Sequence, residues 1–176
     1  MIYQYDIQKE AIMLKVAVMM GSKNDYEVLK DCVKTIKEFG VSVEVRVISA
    51  HRTPDKAHDF AVNAEKNGFG TIICAAGKSA HLAGVVAAYT TLPVIALPIQ
   101  TSFMGGLDSL LSMVQMPEGI PCATVGVNAA KNAGLLAVQI LSLNDASLKA
   151  KLKEFKASMA KKIDDDDKFI ISEVNK

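Results

Sequence analysis

Five short apolar runs rich in β-branched residues punctuate the chain, at residues 14–20, 43–48, 71–75, 94–97 and 122–127. Runs of this length and composition predict strands. Apolar positions three and four apart predict helices between and after them. One covers residues 26–39 and is closed by Gly40; another covers 55–67 and is closed by Gly68, glycine being suited to a left-handed helix end. Thr53 and Pro54 supply the second with an N-cap and a first-turn proline. Residues 129–141 repeat the pattern, and a last helix is predicted from Ala146 to Ile163. There Leu148, Leu152, Phe155, Met159 and Ile163 form one apolar stripe on a lysine-rich surface.

Strands that alternate with helices and have no polar face predict a parallel sheet covered on both sides, an α/β three-layer sandwich with a five-stranded parallel sheet. The helices already counted suffice to cover that sheet, so the C-terminal stripe is expected to pack on a neighbouring subunit. The expected division is a single catalytic unit over residues 13–163, an N-terminal extension over 1–12 and a C-terminal tail over 164–176, the tail opening on the acidic run 164–167.

A chain of 176 residues fits one core, and a hydrophobic share of 50% is high enough to suggest a self-associating surface. Twenty basic residues against 19 acidic ones leave a net charge of +1, which provides no broad field for nucleic acid or an anionic membrane. The longest apolar stretches are too short to span a bilayer. Cys32, Cys74 and Cys122 show no CxxC spacing and are odd in number, which fits buried thiols in a reducing cytoplasm.

In a parallel α/β sheet ligands bind beyond the carboxyl ends of the strands, so the loops there carry the candidate chemistry. The first offers Gly21, Ser22, Asn24 and Asp25. Its helix start can attract phosphate and its carboxylate can grip ribose hydroxyls, although Ser22 and Asp25 would serve equally as helix caps. The second places His51 beside Arg52 after Ser49 and Ala50. An imidazole shuttles protons near neutral pH, and a guanidinium clamps phosphate through parallel bonds. The third contains Gly77, Lys78, Ser79, Ala80, His81 and Leu82. Its small residues let a ligand lie against the backbone, Lys78 and Ser79 offer donors, and His81 either caps the next helix or lines the pocket. Residues 98–108, with Met104, Gly105 and Gly106, form a flexible stretch suited to closing over a substrate. His58, inside a helix, is expected at the surface. Zinc-ligand spacing, HExxH, a dinucleotide GxGxxG, a Walker loop and GxSxG are absent, so no cofactor and no metal are expected.

Several of these segments resemble the N5-carboxyaminoimidazole ribonucleotide mutases of bacterial purine synthesis. They are GSKND at 21–25, SAHRTP at 49–54, AGKSAHLAG at 76–84, LPVIALPIQ at 92–100, GLDSLLSMVQMPEGIPCATV at 106–125 and NAGLLAVQIL at 132–141. The resemblance covers about residues 14–141 in the family's order. It implies a flavodoxin-like or Rossmann-like sheet, a small ribonucleotide substrate, a cytoplasmic homo-octamer, and carboxyl transfer from an exocyclic nitrogen to a ring carbon. The implied mechanism is decarboxylation, trapping of carbon dioxide and recarboxylation. By motif His51 is the acid-base residue, Ser22, Asp25 and Arg52 bind the ribose phosphate, and residues 77–82 wall the base and the carboxylate.

Asn24 stands where the family usually has serine, and Ala83 where it usually has proline. A related branch that carboxylates aminoimidazole ribonucleotide directly from carbon dioxide typically has Ser-Asn-Ala where the mutases have Ala-Ala-His. Ser79-Ala80-His81 shares the serine with that branch but keeps the mutase histidine, which favours the mutase. A non-catalytic nucleotide-binding module of the same fold is the alternative outside enzymology.

Overall fold

In the computed structural model, which describes residues 14–174, five parallel strands form a single sheet in the order β2-β1-β3-β4-β5. They are β1 (Lys15–Met20), β2 (Val43–Val47), β3 (Phe69–Ala76), β4 (Val94–Pro98) and β5 (Ala123–Thr124). The three-layer parallel sandwich expected from the apolar pattern is therefore observed. The expected N-terminal extension, residues 1–12, lies outside the described residues.

The two faces of the sheet are written in the alternation of β1. Val16, Val18 and Met20 point into one core with Leu29, Cys32 and Ile36 of α1 (Tyr26–Glu38) and Ala133, Ala137 and Val138 of α5 (Ala130–Leu141). Ala17 and Met19 point into the other, with Ala57 and Ala61 of α2 (Pro54–Asn63) and Leu82 and Val86 of α3 (Leu82–Ala87). Period-two geometry sends successive side chains to opposite faces, and both faces are covered, so a wholly apolar strand is stable here.

The edges depart from that pattern for a physical reason. β2 has only one neighbour and alternates Val43, Glu44, Val45, Arg46, Val47, with Glu44 bridged to Lys15 at 3.3 Å and to Arg46 at 3.1 Å. β5 is two residues rather than the expected six. Its ladder to β4 pairs only Ile95 with Ala123 and Ala96 with Thr124, and the chain then turns so that the Asn128 amide donates to the Pro98 carbonyl at 2.9 Å. α2 stops at Asn63 rather than 67, the remainder loosening into turns before Gly68, whose φ is +81°.

Two further helices, α3 and α4 (Leu107–Val114), follow β3 and β4. Both are short, and α4 begins after Met104, Gly105 and Gly106, which have φ values of 45°, 68° and 98°. That turn is a short 3₁₀ segment bonded through the Gly106 amide to the Phe103 carbonyl at 3.0 Å.

The last helix, α6 (Ala146–Val174), runs well past the expected end at Ile163 and takes the acidic run with it. Its stripe divides. Leu148 and Leu152 are buried on the body, and the Phe155 ring meets Phe39 edge-on at 5.8 Å, whereas Met159 and Ile163 are exposed. Cys32 and Cys74 are buried and Cys122 is half-buried, and burial pushes the Cys32 thiol up to about 12. Among the described residues no helix is long and apolar enough to cross a membrane.

Candidate active site

The strand order reverses at β1, whose successors lie on either side of it, and this is where a parallel sheet opens a crevice at its carboxyl edge. The loops that follow β1, β2, β3 and β4 converge there around a cavity of about 400 Å³, within the range of small-molecule sites. Gly21, Ser22, Asn24, Asp25, Ser49, Ala50, His51, Arg52, Gly77, Lys78, Ser79, His81 and Leu82 all line it. Ala80, grouped with them from the sequence, does not. It is fully buried in the core beneath α3.

The loop carrying His51 is closed by its own side chains. Thr53 occupies the N-cap position of α2, but its hydroxyl makes no capping bond. It donates instead to the Ser49 carbonyl at 3.0 Å and accepts from the Ser49 amide at 3.0 Å, while the Thr53 amide donates to the same carbonyl at 2.8 Å. Ser49 Oγ accepts from the Arg52 amide at 3.2 Å. His51 and Arg52 thus project from a turn locked at both ends, with Pro54 starting the helix behind them.

His51 Nε2 lies 2.9 Å from His81 Nδ1, with the two rings nearly perpendicular at 84°. One nitrogen of this pair must donate and the other accept, so the contact fixes complementary tautomers and excludes two imidazolium rings sharing it. His81 sits at the N-cap of α3 without a side-chain capping bond, which leaves its ring to this contact. Two histidines thirty residues apart become one unit only through the packing of β2 and β3 against β1.

Arg52 is oriented by two bonds, from Nη2 to the Gly21 carbonyl at 2.8 Å and from Nε to Ser49 Oγ at 3.3 Å. A guanidinium carries five N–H donors, so several remain for a ligand. At the start of the adjoining helix the Ser22 amide donates to Asp25 Oδ2 at 3.1 Å and the Asn24 amide to Ser22 Oγ at 3.2 Å. The capping reading of Ser22 and Asp25 is therefore realised while both still face the cavity. Burial holds the Asp25 carboxyl above its ordinary range, opposed by the Ser22 amide and the nearby Arg52 charge.

β3 and β4 supply the remaining wall. A β-carbon on Gly77 would meet Thr101 Cγ2 at 3.2 Å, so any larger residue there would have to push the Thr101 side chain aside by a few tenths of an ångström. Lys78 follows with φ at +58°. Ile99, Gln100, Thr101 and Ser102 also line the cavity, so the loop expected only to close over a substrate forms part of its wall. Their signal was positional, the loop after the fourth strand. Gln100 is held by Asn128, whose Oδ1 accepts from the Gln100 amide at 2.9 Å and whose Nδ2 donates to Gln100 Oε1 at 3.1 Å. His58 lies outside the site, exposed on α2 and edge-on to Tyr89 at 4.7 Å. Among the described residues no group of three or more His, Cys, Asp or Glu side chains is arranged to hold a metal ion.

The family model described as AIR carboxylase matches residues 15–162. The N5-carboxyaminoimidazole ribonucleotide mutase of Pyrococcus abyssi is 52% identical over 147 residues, covering 84% of this chain and 84% of its own. That of Aquifex aeolicus is 56% identical over 128 residues, covering 73% of this chain and 77% of its own. Among solved structures, Treponema denticola PurE matches with a TM-score of 0.79 at 30% identity, over 92% of this chain and 98% of that one.

Proposed function

The chain belongs to the AIR carboxylase family, and on that premise we propose that it is an isomerase converting N5-carboxyaminoimidazole ribonucleotide to 4-carboxy-5-aminoimidazole ribonucleotide in purine biosynthesis. The observation that carries this reading is the His51–His81 pair, held at 2.9 Å in the wall of a cavity that also presents Arg52.

The chemistry needs two proton movements. Cleavage of the N–C bond releases carbon dioxide and leaves the exocyclic nitrogen needing a proton. Attack of the ring carbon on that carbon dioxide then leaves a ring proton to be removed. A single imidazole does both, donating in the first half and accepting in the second, so the residue ends as it began. His51 is that group, and the locked Ser49–Thr53 turn supports the assignment because proton transfer demands a fixed donor. His81 presets its tautomer. Arg52 binds the phosphate from the side of Gly21, with Ser22, Asn24 and Asp25 around the ribose and Ser49 and Ala50 beside them. Residues 77–79, 81 and 82 wall the base and the carboxylate, while Ala80 is buried in the core. The catalytic unit is residues 13–163, no cofactor or metal takes part, and the enzyme works in the cytoplasm as a homo-octamer. The exposed Met159 and Ile163 on α6 support packing on a neighbouring subunit.

The test is to incubate the purified protein with the nitrogen-carboxylated ribonucleotide, without ATP and in the presence of a chelator, beside aminoimidazole ribonucleotide plus bicarbonate. Conversion of the first substrate alone supports the mutase. Turnover of the second alone makes the protein a direct carboxylase, and tight binding with no turnover makes it a nucleotide-binding module.

A further inference from the structure

Two cations, on the loops after β2 and β3, line the cavity, and in the functional reading above the phosphate takes only one of them. Arg52 is committed to the β1 side by its bonds to Gly21 and Ser49. Lys78 stands on the β3 side, on the loop that leads to His81. We propose that the Lys78 ammonium anchors the carboxylate that the reaction moves, making Lys78 the residue that separates carboxylated from uncarboxylated ribonucleotides. This inference rests on the functional reading above and names the part of the substrate that one residue recognises.

Three observations carry it. First, Lys78 holds φ at +58°, the left-handed region in which a side chain is strained and glycine is not. The chain bears that strain beside Gly77, where an added β-carbon would come within 3.2 Å of the Thr101 side chain. A lysine kept at such a position is placed for its side chain rather than for its backbone. Second, Lys78 forms no ion pair with any of the described residues, and the hydrogen bond at this residue is accepted by its carbonyl, from Ser112 Oγ at 3.5 Å. Asp108 is the acidic residue that shares the adjoining groove with Lys78. Its Oδ1 already accepts from the Thr101 hydroxyl at 2.8 Å and the Ser109 amide at 2.9 Å. Third, Lys78 and Ser79 line both the cavity and that groove, so Lys78 lies where the two adjoin.

The chemistry suits a cation there. The migrating group is anionic on nitrogen, neutral as carbon dioxide and anionic again on carbon. An ammonium beside the path favours both bound carboxylates and the recapture that regenerates the second. A point charge with rotatable donors follows such a group better than a rigid fork does.

The experiment compares Lys78→Met, Lys78→Gly and Lys78→Arg with the parent. Dissociation constants are measured for 4-carboxy-5-aminoimidazole ribonucleotide and for aminoimidazole ribonucleotide, which share the phosphate and differ in the carboxylate. Lys78→Met and Lys78→Gly are expected to bind the carboxylated nucleotide about tenfold more weakly, the low end for a charged hydrogen bond at an exposed side chain. They should bind the uncarboxylated one as the parent does, and Lys78→Arg should recover part of the loss. Lys78→Gly should melt no lower than the parent, since it relieves the backbone, so weaker binding by a fully folded variant counts for the proposal. Equal losses on both nucleotides would assign Lys78 to the phosphate and overturn it, as would no loss on either. If the parent binds neither nucleotide, the functional reading itself fails and this inference falls with it. If the parent binds both and the variants show no selective loss, only the inference fails.

Discussion

Replacing Arg52 separates binding from folding more cleanly than any other substitution in the cavity. Arg52→Ala removes two internal bonds, to the Gly21 carbonyl and to Ser49 Oγ, from an exposed side chain. Exposed contacts of this kind are worth at most about 1 kcal/mol together, or about 2–4 °C in melting temperature for a chain of this size. The loss on ligand binding is larger. A charged hydrogen bond to phosphate contributes about 1.5–3 kcal/mol, which is about 10- to 150-fold in KM. Asp25 moves the expectation to the upper end, because without Arg52 the phosphate would approach a carboxylate whose compensating charge is gone. Arg52→Lys keeps the charge but cannot reach Gly21, Ser49 and a phosphate at once, so it should recover only part of the loss. The assay is steady-state KM on the nitrogen-carboxylated ribonucleotide, with thermal melts of all three proteins. Unchanged KM in both variants would place the phosphate elsewhere, and a collapse of the melting temperature would make Arg52 a structural residue.

His51→Asn should fold and bind ribonucleotide but lose about 10²–10⁴-fold in turnover, while His81→Asn loses less; a His51→Asn enzyme retaining more than about a tenth of turnover beside a dead His81→Asn would reverse the two roles. Asp25→Asn should raise the melting temperature near neutral pH. A carboxyl held above its ordinary range by burial destabilises the fold when ionised, and that cost fades as pH falls through its folded value towards the ordinary carboxylate range. The gain should therefore shrink on acidification, and a gain that grew instead would contradict the sign. Sedimentation at micromolar concentration should show a closed oligomer, and a particle of 18.9 kDa would refute self-association.

Much of this protein was legible in its sequence. Strands with no polar face announced a sheet buried on both sides, and their alternation with helices announced parallel pairing, since each follows from backbone geometry and the hydrophobic effect acting locally. The candidate residues were legible too, because ligand loops in such a sheet must lie at the carboxyl ends of the strands. Only the tertiary structure decided the rest. Ala80 shares a loop with Ser79 and His81 yet is buried, because the start of α3 turns its side chain into the core. Gln100, Thr101 and Ser102 join the site because β4 pairs with β3 in parallel, which brings the loops after both strands to the same edge of the sheet. Thr53 bonds back to Ser49 rather than capping its helix, a choice between two nearly equivalent acceptor arrangements that propensity does not resolve. The contact between His51 and His81 depends on strand order, and no local rule links two residues thirty positions apart. Local sequence specifies elements and their faces; contacts between distant residues emerge when those elements pack, because their energy is paid and recovered only in the assembled fold.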